Sequence, residues 1–259
     1  MTQKNIRVSD IISIINDIAP FELQEEWDNS GFLVGDRNCE VKKIGFCLDL
    51  TVESLNSAVA QGVDLVITHH PVIFGAKKAF LADDVAFLAA RSGINVISAH
   101  TCFDAADGGI NDVLCEILGI SDAKRVADEG EGAIARFGSV NEMTPRELAS
   151  LAAEKFNTAV SFVDASKSIT SVAVLGGSGG SLIGDVIKCG IDALVTGEAK
   201  HHELLMAQQA GVTLVVAGHF ETENIAMPVL MKKVSEKCEG IEAVLLTQTN
   251  PLKYICPKG

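Results

Sequence analysis

The chain has 259 residues, 47% of them apolar, with 23 glycines and a formal net charge of −13; this length buries a core in one large domain or two modest ones without cross-links. Aromatic residues make up only 5%, with one Trp, and no Lys/Arg run occurs, which excludes a stacking platform for single strands and sets the surface against phosphate backbones. The seven cysteines are scattered and form no C-x-x-C pair, the N-terminus lacks a signal-peptide layout, and no apolar run approaches the roughly 20 residues that span a bilayer, so a reduced, soluble, cytoplasmic protein is expected.

Ser9 is placed to cap a helix reaching about Ile18, with Ile11, Ile12, Ile15 and Ile18 on one face and Pro20 beyond its end. After a polar link and Trp27–Gly31, a short strand covers Phe32–Val34. From there strands and helices alternate: strand Lys43–Leu50, helix Val52–Gln61 capped by Thr51, strand Asp64–Thr68, helix Asp83–Ser92, strand Ile94–Ala99, and a helix near Ile110–Leu118. Ser121–Gly132 is polar, charged and Gly-containing, and reads as a boundary. Beyond it come strand Ile134–Val140, helix Pro145–Phe156 capped by Thr144, strand Val172–Leu175, helix Leu182–Cys189, strand Ile191–Val195 and helix Glu198–Ala210. Strand Val212–Ala217, a helix near Asn224–Cys238 and strand Ala243–Leu246 complete the series. Short, continuously apolar strands between amphipathic helices predict an α/β fold with largely parallel sheets covered on both faces. Two domains are expected, 1–125 and 126–259, with 225–259 a candidate to pack on the first.

A repeat is visible within this alternation. Gly62-Val-Asp-Leu-Val-Ile-Thr68 aligns without a gap on Gly190-Ile-Asp-Ala-Leu-Val-Thr196, and polar, His-rich residues follow each. The next strand begins at Gly93 in one half and Gly211 in the other, and ends at His100 and His219. A carboxylate lies four residues beyond each of these, Asp104 and Glu223. The pattern predicts two similar α/β domains from an internal duplication, with convergence of two Gly-Asp-strand segments as the alternative.

All six histidines fall just past strand ends or at the start of the next helix: His69, His70, His100, His201, His202 and His219. Ligand sites of open α/β sheets form at that edge. Imidazole with carboxylate is the donor set of zinc, iron or manganese centres. A His-His pair past a strand end serves two ions more readily than one, and Asp104 and Glu223, one from each half, have the charge to bind or bridge them. Cys102, between His100 and Asp104, is either a neighbour of the site or part of the core.

In chain order, Trp27-Asp28-Asn29-Ser30-Gly31, Thr68-His69-His70-Pro71, Ser98-Ala99-His100-Thr101 with Asp104, Thr196-Gly197-Glu198 with His201, and Gly218-His219 with Glu223 resemble the motifs of the Nif-three-like family, also called GTP cyclohydrolase 1 type 2 homologues. The resemblance runs from about Val8 to the C-terminus, and the chain matches the short form without an inserted domain. It implies two related α/β domains facing each other across a dinuclear site. It further implies His69, His70, Asp104, His219 and Glu223 as ligands of two divalent ions per subunit, and a toroidal homohexamer.

Around that site Glu198, His201 and His100 are the candidates for proton transfer. For Glu198, His201 and His202 the alternative is that they cap or decorate a helix; for His100 it is support of the ligands from behind. Asp28, Asn29 and His202 are candidate substrate contacts, although Asp-Asn before a glycine is also an ordinary turn. Gly176–Gly180 is either a phosphate cradle or a close-packing turn, and it lacks the Lys of a P-loop. Three functions stay open: a dinuclear-metal hydrolase acting on a small molecule such as a nucleotide, a protein that delivers, stores or senses metal, and a regulatory interaction protein. Neither direct nucleic-acid contact nor a membrane is expected.

Overall fold

The computed structural model describes residues 5–253 and 255. It separates into two compact units, residues 1–106 with 227–249 and residues 107–226 with 250–259.

The first unit opens with α1 (Val8–Ile18), which starts before Ser9: the Arg7 N–H reaches the Asp10 carboxylate at 2.8 Å, so Arg7 holds the cap position. Strand β1 (Gly31–Val34), β2 (Lys43–Cys47), α2 (Val52–Ala60), β3 (Leu65–Thr68), α3 (Val85–Arg91), β4 (Asn95–Ser98) and α4 (Thr101–Ala105) follow. Thr51 caps α2 as expected, accepting the Ser54 N–H at 3.2 Å. The second unit holds α5 (Ile110–Leu118), β5 (Ser121–Arg125), α6 (Glu131–Ile134), β6 (Arg136–Met143), α7 (Pro145–Phe156), β7 (Ser161–Val163) and β8 (Ile169–Leu175). It continues through α8 (Ile183–Lys188), β9 (Ala193–Thr196), α9 (His201–Ala210), β10 (Thr213–Val216) and α10 (His219–Asn224). Helix α11 (Met227–Lys237) and β11 (Glu242–Leu245) return to the first unit.

The sheets run β1-β4-β3-β2-β11 and β5-β6-β8-β9-β10-β7. Within them β1-β4-β3-β2 and β7-β10-β9-β8 have the same order and the same directions: three parallel strands with an antiparallel strand at one edge. The first sheet is largely parallel as expected, with only β1 antiparallel, whereas the second is mixed, because β7 at one edge and β6 near the other run against its parallel core. Two similar α/β domains are present. The helix and strand that end each repeat are exchanged: α5 packs on β6, β8 and α7 in the second unit, while α11 packs on β2 and β11 in the first.

The repeated Gly-x-Asp has a physical reason. Gly62 and Gly190 both have φ near +67°, the left-handed conformation in which a helix is stopped without Cβ strain. Asp64 then accepts the Lys42 and Lys43 N–H groups at 2.8 and 2.9 Å. Asp192 accepts those of Thr170 and Ser171 at 2.9 and 3.0 Å. Each carboxylate thus ties the start of the neighbouring strand and fixes its register.

Apolar burial then sorts by the two-residue period of the strands. Val66, Val96 and Cys47 pack with Leu55 and Ala58 of α2 and Ala86 and Ala89 of α3. Leu65 and Ile67, fully buried, point to the opposite face, where α11 lies on β2 and is backed by α1. In the second unit Val172, Val174, Leu194 and Val215 are equally buried. Among the described residues no helix is long and apolar enough to cross a membrane.

Candidate metal centre

Parallel strands β3 and β4 end side by side, Thr68 opposite Ser98, and their following residues bring three histidines together. His69, His70 and His100 each offer a ligand atom within 4.8 Å of the others. Their ring centroids are 5.0 to 5.4 Å apart. The Nδ1 atom of each ring is already engaged. His69 Nδ1 lies 2.9 Å from the Ala99 carbonyl oxygen, which can only accept, so this nitrogen carries the proton. His70 Nδ1 is 2.8 Å from the Asp49 carboxylate and His100 Nδ1 is 2.8 Å from that of Asp28. Engagement of Nδ1 fixes the orientation of each ring and makes Nε2 the nitrogen suited to ligate a metal. Asp104, on the one-turn helix α4, places Oδ2 3.8 Å from His69 Nε2.

The Trp27–Gly31 motif explains itself here. The Asp28 side chain is fully buried; besides His100 it accepts the Ser30 hydroxyl at 2.9 Å and the Thr101 hydroxyl at 2.6 Å. Burial alone would raise its pKa, but the hydrogen bonds from His100 and Thr101 win and hold it well below the usual carboxylate range. Asp28 therefore acts through His100. Asn29 donates to the Ile73 carbonyl at 2.6 Å and borders a small cavity. Cys102 turns into the core, and burial pushes its thiol up to about 12, so it stays protonated.

The second unit carries a different donor set on the equivalent edge. His219 opens α10, and Glu223 one turn on brings Oε2 to 3.0 Å from His219 Nε2. His219 Nδ1 lies 3.4 Å from both the Glu198 carboxylate and the Ser178 hydroxyl. The Ser178 hydroxyl donates to Glu198 at 2.6 Å, and this bond is the main cause of a lowered Glu198 pKa. A Cβ on Gly177 would stand 2.1 Å from Glu223 Oε1 and 3.2 Å from His219 Nε2. The glycine turn is thus a close-packing device. Its Gly176, Gly177 and Gly179 N–H groups donate to Asn111, Thr222 and Thr196 at 3.0 to 3.1 Å, leaving none of the three for a phosphate. A cavity of about 640 Å³ bordered by Ser178, Glu198, Lys200, Glu203 and His219 adjoins the pair.

His201 and His202 project from the first turn of α9 and are exposed; His202 Nε2 is 3.8 Å from Glu203. Neither joins a donor cluster among the described residues. The repeat also needs one correction. Ala99 and Ala217 donate in the same way to the Thr68 and Thr196 carbonyls, both at 2.9 Å, so His100 is equivalent to Gly218 and His219 to Thr101. The two His-x-x-x-carboxylate motifs are one residue out of step and are not duplicates of each other. Sequence reasoning did not single out Asp49 and read Ser178 only as part of the glycine turn; the one available signal was their position two or three residues past the ends of β2 and β8.

The chain is similar to known proteins along most of its length. Residues 6–251 match the family model described as Duf34/NIF3 (NGG1p interacting factor 3). A Clostridium perfringens protein named GTP cyclohydrolase 1 type 2 homolog is 36% identical, over 90% of this chain and 91% of its own. A Helicobacter pylori protein named GTP cyclohydrolase 1 type 2 is 31% identical, over 84% and 87%. The crystal structure of a Staphylococcus aureus hypothetical protein superposes with a TM-score of 0.86 at 27% identity, covering 97% of this chain and all of that one. The chain belongs to the Duf34/NIF3 family.

Proposed function

We propose that the protein is a dinuclear-metal-dependent hydrolase of a small molecule, with opening of the GTP purine ring, or cleavage of a nucleotide ester, as the reactions to test first. The observation that carries this reading is the histidine pair His69 and His70, each with Nδ1 engaged, which with His100 forms a group offering ligand atoms within 4.8 Å of one another. Nitrogen and carboxylate donors of this kind fit zinc, iron or manganese. His69, His70 and Asp104 in the first unit and His219 and Glu223 in the second are the proposed ligands of two ions per subunit. Divalent cations held there would supply Lewis acidity and bring the pKa of a water molecule toward neutrality. The chain's own part is to orient the donors: Asp49 and the Ala99 carbonyl fix the histidine pair, and Asp28 fixes His100. Glu198, held ionised by Ser178, is the group placed to take up a proton. The names borne by relatives from Clostridium perfringens and Helicobacter pylori support the choice of GTP as first substrate.

Full burial of His69 favours a second reading, in which a closed donor set stores or delivers metal without turnover. One experiment separates the two: metal analysis of protein purified without added metal, run beside a screen of GTP and nucleotide esters. About two equivalents of metal with metal-dependent turnover is the expected result. Metal without turnover across the screen transfers the case to metal handling. Absence of metal after reconstitution removes both. The assembly proposed with this function is a homohexamer, which sedimentation of the purified protein checks.

A further inference from the structure

With aromatic residues at 5% of the chain, their distribution is informative. Trp27, Phe74 and Phe80 are 61%, 51% and 52% exposed. Singly, such residues need no explanation. Two of these, however, meet the same histidine: Trp27 and Phe74 contact His100 in T-shaped geometry, with centroids 5.6 and 5.5 Å away. Phe74 and Phe80 together border a cavity of about 380 Å³, which is a small-molecule size and which Asp28 and Asn29 also line.

The segment carrying the two phenylalanines, between β3 and α3, is long and free of regular structure, a class of loop that is uncommon without a function. It is nevertheless held in shape. Asn29 donates to the Ile73 carbonyl, while Lys77 pairs with Asp84 and lies 5.6 Å from the Phe80 ring centre. Those bonds also decide what the cavity takes. Its cation is already paired with Asp84, its carboxylate is committed to His100, and its amide to Ile73. Aromatic surface is what remains on offer.

We propose that Trp27, Phe74 and Phe80 bind a planar heteroaromatic ring and seat it beside His100. The claim rests on the reading of the histidine cluster as the reaction centre, but its test does not depend on turnover. Trp27 is the only tryptophan, so intrinsic fluorescence reports on this place alone. Full-length protein as purified is titrated with guanosine, adenosine and nicotinamide, and with ribose 5-phosphate and inorganic phosphate as non-aromatic controls. Saturable quenching by the ring compounds and none by the controls is expected. Phe74→Ala and Phe80→Ala should each raise the Kd about tenfold, with metal content and urea midpoint kept, as the loss of one stacked ring does.

Quenching that never saturates, or a Kd unmoved by both substitutions, overturns the proposal. So does a ligand-free protein whose Trp27 is shielded from acrylamide until the oligomer dissociates, which would make the patch a subunit contact. Saturable ring binding without any metal-dependent turnover would leave the pocket standing and remove the hydrolase. Turnover that ignores both phenylalanines would do the reverse.

Discussion

The two units use one scaffold and fill its working edge differently. Strands β2 and β8 end in register at Cys47 and Leu175, and two residues later the first unit has Asp49 where the second has Gly177. Asp49 reaches over to hold His70; Gly177 has no side chain, and Glu223 with His219 occupies the space. Past β3 the chain supplies a histidine pair, and past β9 it supplies Gly197 and Glu198. One edge is therefore rich in fixed nitrogen donors and the other in carboxylates around a single imidazole. The lesson is that the repeated backbone decides where a site forms, while residues one to three positions beyond each strand decide its chemistry.

The sharpest way to break this contrast is to give Gly177 a side chain. Gly177→Ala forces a Cβ to 2.1 Å from Glu223 Oε1 at a residue with φ of +60°. We expect a loss of about 3 kcal/mol from overpacking and left-handed strain together. Metal held through His219 and Glu223 should be lost as well, read by urea denaturation and metal analysis. A variant that keeps both stability and metal would mean that the glycine is not the spacer for that pair.

The repeated aspartates test the opposite side, what the units share. Asp64→Ala and Asp192→Ala each remove a carboxylate that ties two backbone N–H groups of a neighbouring strand. Each should cost about 2 kcal/mol, as hydrogen bonds to charged groups do. A large inequality in urea midpoints would show that register is fixed by this device in one unit only.

Much of this was legible in the chain and some was not. The parallel core strands were readable because residues such as Leu65–Ile67 and Leu194–Val195 form continuous apolar runs buried on both faces. Strand β5 was hidden inside an apparent boundary because all five of its residues are exposed and no alternation marks it. Strand β7 has only three residues, and α4 and α10 follow their strands too closely for a periodic pattern to develop. The histidines announced the site by position. Their partners did not, since Asp49 is 21 residues from His70 and Asp28 is 72 from His100, separations that only the folded sheet brings to zero. The match of His100 to His219 misled, because a motif of two residue types carries no register information, whereas the strand hydrogen bonds do.

Asp28 allows a sharper statement about the first unit. Asp28→Asn keeps the size of the side chain and removes the charge that holds His100, which is not among the proposed ligands, so metal content should be kept while any metal-dependent turnover falls. Stability should fall too, by about 1.5 kcal/mol at neutral pH. Its carboxyl is depressed in the folded protein, so its contribution is complete above the unfolded value near 4 and is lost as pH falls from there toward the lower folded value. The gap between parent and variant in urea midpoint should therefore close only below about pH 4. A gap that closes near pH 6 instead would mean that a histidine, and not Asp28, carries the dependence.

The smallest effect is also the cleanest comparison of the two units. Gly93 and Gly211 end equivalent helices with φ of +74° and +66°. A Cβ at Gly93 meets nothing within 4 Å, whereas at Gly211 it meets Lys167 Nζ at 2.7 Å. The tip of a lysine side chain moves at little cost, so both alanine variants should lose only the left-handed penalty, about 1 kcal/mol each. Equal losses would show that the units share this turn as pure backbone geometry. A Gly211→Ala loss clearly above that of Gly93→Ala would mean that Lys167 is fixed in place, and that the second unit has added a side-chain constraint to a turn the first leaves open.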